Sequence, residues 1–72
     1  MAKFIKLECE AGNVYVPENS ILYVLENIEK GCFLVMLNQK IISFKTGEKG
    51  LEESDFVAIP KEKASCLDAL LS

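Results

Sequence analysis

The chain has 72 residues, of which 50% are apolar and 26% charged. That balance suits one small folded domain spanning 1–72 and excludes a disordered or low-complexity polymer. His and Trp are absent, and all eight basic residues are Lys against eleven acids, for a net charge of −3. Without His, the usual proton carrier and commonest metal ligand are missing; without Arg, so is the planar fork that grips phosphate or guanine.

The N-terminal run Met1 to Glu8 reaches an acid before any apolar stretch develops, which is not the pattern of a secretory signal. The longest uncharged stretch, Gly31 to Gln39, is nine residues, far below the roughly 20 that a spanning helix needs. Cys9, Cys32 and Cys66 are widely spaced, odd in number and without a CxxC, a poor disulfide framework and a poor metal site. These features predict a cytoplasmic protein with no membrane segment and no cofactor.

From Ile5 to Glu10, Ile5, Leu7 and Cys9 alternate with Lys6, Glu8 and Glu10, the period-two pattern of a half-buried strand. Ala11-Gly12-Asn13 supplies a turn. Val14 and Val16 then face one way and Tyr15 the other, up to Pro17, which cannot donate to a ladder. A first hairpin follows.

Pro17 to Lys30 supports two readings. Ile21, Leu22, Val24, Leu25 and Ile28 have helical spacing, with Gly31 placed as a stop. Yet Ile21 to Leu25 is also a β-rich run between turn formers, which favours a strand preceded by a short helical turn. Next, Cys32 to Lys45 reads as two apolar runs joined at Asn38-Gln39, a second hairpin with Met36 opposite Ile41 and Phe33 opposite Phe44. One of its faces would carry Phe33, Val35, Leu37, Ile42 and Phe44. The other would carry Cys32, Leu34, Met36 and Ile41 with Ser43 and Lys45, too apolar to stand in water.

Thr46 to Ser54 reads as a polar loop, with the acids Glu48, Glu52, Glu53 and Asp55 solvated. Its glycines miss the pattern of a phosphate loop. Phe56 to Ile59 is a last short strand, and Pro60 opens a C-terminal helix with Glu62 in its first turn. Ala64, Leu67, Leu70 and Leu71 make one stripe of that helix, the candidate cover for the second apolar sheet face.

The run Phe4-Ile5-Lys6-Leu7, then Gly12, Val14-Tyr15-Val16-Pro17, Ile21 and Leu34 to Phe44, resembles the very small β proteins typified by FlbD, known from bacterial and prophage genomes. The resemblance covers residues 4–45. It implies a small twisted meander and favours strand over helix in Pro17 to Lys30; Thr46 to Ile59 departs from it, and no flagellar role is carried over. Val14 to Leu25 also resembles the opening of LytTR-type DNA-binding domains, which are longer and rely on basic residues lacking here.

The expected fold is mainly β (α+β): a small twisted antiparallel sheet, or a partly open SH3-like barrel, of five or six strands with a C-terminal helix. Cys9, Cys32 and Cys66 fall in apolar patterns, where a thiol packs as a small hydrophobe and does not react. No catalytic residue is therefore assigned. A core this small gains from association. The expected function is a non-catalytic interaction module that pairs with itself, as a homodimer, or with a larger protein through the apolar sheet face or a strand edge. Its expected contact residues are Leu34, Met36, Ile41 and Tyr23. The alternative is a small nucleic-acid-binding β-barrel using Phe4, Tyr15 and Tyr23 for stacking, which the lack of Arg and the negative charge disfavour.

Overall fold

The computed structural model describes residues 3–45 and 49–71. The chain folds mainly as β structure: β1 (Phe4–Glu8), β2 (Asn13–Pro17), β3 (Ile21–Asn27), β4 (Cys32–Phe44) and β5 (Leu51–Pro60). A 3₁₀ turn at Glu18–Ser20 precedes β3, and a longer one at Lys61–Leu67 leads into the single turn α1 (Asp68–Leu71). The strands form two antiparallel sheets, β1-β2 and β3-β4-β5. The core lies between them.

β1 and β2 pair as their alternation predicts, with Ile5 opposite Val16 and Leu7 opposite Val14 on the inward side. The turn closes where the Cys9 N–H donates to the Gly12 carbonyl, 2.7 Å. Gly12 leaves room for the Phe44 ring: a Cβ there would come within 2.8 Å of it and the ring would have to shift. Leu7, Cys9 and Val16 meet Val35 and Leu37 of β4, Val57 and Ile59 of β5, and Leu67 of the C-terminal segment in one buried cluster. Three of the four residues on the sheet side of this core, Val35, Val57 and Ile59, are β-branched, and a stiff χ1 packs well on a pleated surface.

Pro17 to Lys30 resolves as the strand reading, a 3₁₀ turn followed by β3. Ser20 fixes the turn: its hydroxyl is buried and donates to the Pro17 carbonyl at 2.7 Å. Gly31, the residue that would have stopped a helix, sits at φ +65° in the β3–β4 turn. There Asn27 Oδ1 accepts from the Lys30 N–H.

The expected hairpin at Asn38-Gln39 does not form. β4 runs as one strand from Cys32 to Phe44, paired to β3 on one side and β5 on the other. A two-residue hairpin turn needs positive φ, and among the described residues only Gly31 and Gly50 adopt it. Instead the ladder with β5 jumps from Met36–Phe56 to Ile41–Ser54, so that Leu37 to Lys40 stand against Asp55 alone. This wide bulge is the feature that Asn38 and Gln39 mark. The Asn38 side-chain amide donates to the Asn19 carbonyl at 3.3 Å and ties the bulge to the 3₁₀ turn.

The inferred faces change with the topology. Ile42 is 62% exposed, while Ile41 packs against the core and Ser43 is buried. β5 begins at Leu51, so Glu52, Glu53 and Asp55 lie on a strand; pairing with the far half of β4 overrides their loop composition. Thr46, Gly47 and Glu48 lie outside the described residues. Pro60 does open a helical segment with Glu62 in its first turn. That segment docks beside β1, though, and buries Leu67 in the core with Leu70 packed against it. It covers the core side and leaves the second sheet face open.

Candidate interaction surface

The register of the three-stranded sheet defines its outward face. Residues directly opposite in antiparallel strands project to the same side, with Cβ atoms roughly 5 Å apart. Tyr23, Met36 and Phe56 therefore form one cross-strand row, and Leu25, Leu34 and Ala58 the next. A third row holds Asn27, Cys32 and Pro60. No charged side chain falls in these nine positions.

None of the nine belongs to the core cluster or packs against it. Their alternating neighbours Val24, Phe33, Val35, Val57 and Ile59 do, which follows from the period of two along each strand. Leu34, Met36, Phe56 and Ala58 are half-buried, whereas Tyr23 and Leu25 on the edge strand are 55% and 50% exposed. A recess of about 250 Å³ opens on this face, lined by Asn27, Lys30, Cys32, Leu34, Phe56 and Ala58. The nearest ion pair, Lys61 Nζ to Glu26 Oε2 at 3.9 Å, is solvent-exposed and contributes little to stability.

Of the four residues expected to make contacts, Tyr23, Leu34 and Met36 come together on this face. Ile41 does not join them: it lies beyond the bulge opposite Ser54 and packs against the core. Three further residues of the face, Leu25, Phe56 and Ala58, lie in uniformly apolar strand runs, where composition gives no sign of which side a residue takes. They went unassigned because the partner strands were unknown. Phe4 and Tyr15 are exposed on the outer side of β1-β2, in separate rows with Pro17 and Lys6.

Two of the three thiols, Cys9 and Cys66, lie close together. Cys66 Sγ accepts from the Glu8 N–H at 3.5 Å, beside buried Cys9, and Lys63 Nζ donates to the Cys9 carbonyl at 3.2 Å. Burial pushes the Cys9 thiol up, neighbouring Cys66 raises it further and Lys63 opposes both. Cys9 is thus held as a neutral thiol at pH 7, the inert form. Among the described residues no three His, Cys, Asp or Glu side chains gather to hold a metal ion, and no helix is long and apolar enough to cross a membrane.

No protein family, curated protein or solved structure matches this chain.

Proposed function

We propose that the chain is a non-catalytic protein–protein interaction module whose contact surface is the outward face of β3-β4-β5. One observation carries the reading: two adjacent uncharged rows, Tyr23-Met36-Phe56 and Leu25-Leu34-Ala58, none of whose residues belongs to the core cluster or packs against it. A contiguous apolar surface of this kind, with two aromatics and a Met among its members, has the composition of an interface core. The net charge of −3 opposes a nucleic-acid partner, whose backbone demands neutralising cations. Three unpaired thiols suit a reducing cytosol, the compartment proposed here.

A photo-crosslinking residue placed at Phe56 in the native host cell, with a control at Lys6 on the outer side of β1, tests the face. Discrete protein adducts are expected from Phe56 alone. Leu34→Asp with Met36→Lys should keep the β-sheet spectrum and abolish those adducts. Equal labelling at both positions, or adducts that survive the folded double variant, would refute the assignment.

A further inference from the structure

We infer that the free edge of β3 pairs with β3 of a second copy of this chain, antiparallel and centred on Leu25. The inference deepens the proposed interaction role and rests on it, but uses a different surface, the strand edge.

The two edges of the three-stranded sheet are unlike. β5 carries Glu52, Glu53 and Asp55 and ends on Pro60, charges and a missing donor of the kind that discourage further strand pairing. β3 holds one charged residue, Glu26, with no Lys and no Pro. Its bulge falls between Ile21 and Tyr23, and from Tyr23 to Asn27 it runs in unbroken register along β4. Leu25 is the middle of that regular stretch.

A two-fold through Leu25 places Tyr23 opposite the partner's Asn27, Val24 opposite the partner's Glu26, and Leu25 opposite its own copy. Glu26 thereby meets Val and no like charge, so the acidic chain pairs with itself without a repulsive contact in the ladder. The same operation sets the two apolar faces side by side on one six-stranded sheet. Exposed Leu25 and Tyr23, which a lone chain leaves half in water, become interior positions of that sheet. A second copy is thus the occupant that fits in charge, length and register.

Sedimentation equilibrium with hydrogen exchange tests this. The wild-type chain should sediment at twice its 8.0 kDa mass, with protected outward-pointing amides in Tyr23 to Asn27. Leu34→Asp with Met36→Lys, which lies off the edge, should remain a dimer. Leu25→Lys and Leu25→Glu should each sediment as monomers, since each sets like charges across the two-fold, and an equimolar mixture of the two should recover the doubled mass. A wild-type monomer at high micromolar concentration, or a dimer whose β3 amides exchange freely, overturns the inference and leaves the proposed face free to bind a larger protein. Loss of the dimer in the Leu34→Asp, Met36→Lys variant would assign association to the face and overturn the edge.

Discussion

Replacing Gly12 by Ala isolates a single steric contact. A Cβ at this position would lie 2.8 Å from Phe44 Cζ and 3.2 Å from Cε2, where carbon atoms settle at about 3.5–4.0 Å. The ring must retreat by roughly 0.7 Å to restore that separation, and it is itself packed against the core. Overpacking of this size costs about 1–3 kcal/mol. Against it stands the lower entropy of an unfolded Ala chain, about 0.4–1 kcal/mol in favour of the variant, realisable because Gly12 has no positive φ. The net expectation is a loss of about 0–2.6 kcal/mol, centred near 1.3. For a chain this short, each kcal/mol moves the thermal midpoint by about 4–8 °C. The decisive comparison is with Phe44→Leu, which removes Cζ and both Cε atoms. In that background the steric cost vanishes, so Gly12→Ala should become stabilising by about 0.4–1 kcal/mol. Urea denaturation of the four proteins, read at constant m, gives the coupling energy. A Gly12→Ala effect of the same size and sign in both backgrounds would refute the contact.

Two further outcomes follow from the backbone and the thiols. Gly31 has φ +65° and open space where a Cβ would go, so Gly31→Ala should cost about 1–2 kcal/mol from conformation alone, with Gly31→Asn losing less because Asn enters that region more readily; equal stability of all three in urea would contradict this. For Cys9, the raised folded-state pKa means that the native chain holds its proton longer than the unfolded chain. Its contribution is complete below the ordinary thiol value of about 8.5 and declines as pH rises through the interval up to the folded value. Stability should therefore fall above about pH 8.5, with a shallower fall in Cys9→Ala, and equal slopes in the two proteins would contradict the assignment.

What the sequence disclosed was its periodicity. Ile5, Leu7, Val14 and Val16 alternate with polar residues, and that alone placed β1 and β2 with their correct inward faces. The apolar runs Ile21 to Leu25 and Phe56 to Ile59 carry no such alternation, and their β-rich composition marked them as strands without saying which side faces the core. The bulge is where the reading failed. Cys32 to Phe44 contains enough apolar residues for two strands and a polar break at Asn38-Gln39, and local composition cannot distinguish a chain reversal from a bulge that keeps its direction. The distinction lies in φ at Asn38 and in partners far along the chain, chiefly Ser54 to Pro60. Glu52, Glu53 and Asp55 concealed the first half of β5 for the same reason. Acids favour a loop until a neighbouring strand supplies a ladder, and then only their solvent-facing alternation matters.

The topology also explains why an apolar face is left over. A three-stranded sheet has two sides, and cover must come from the remaining elements. β1-β2 turns Ile5, Leu7, Val14 and Val16 toward Val35, Leu37, Val57 and Ile59, while its outer side mixes exposed Phe4 and Tyr15 with Lys6 and Glu8. The C-terminal segment could in principle have crossed to the other side of the sheet. It is instead anchored at three points on the core side: Leu67 fully buried, Cys66 Sγ on the Glu8 N–H and Lys63 on the Cys9 carbonyl. Moving it would expose Leu67 and leave a cavity in the core cluster, a loss of the order of 2–5 kcal/mol, a large share of the stability of a domain this small. With both elements committed to the core side, Tyr23, Leu25, Leu34, Met36 and Phe56 stay outside the core cluster that these elements build.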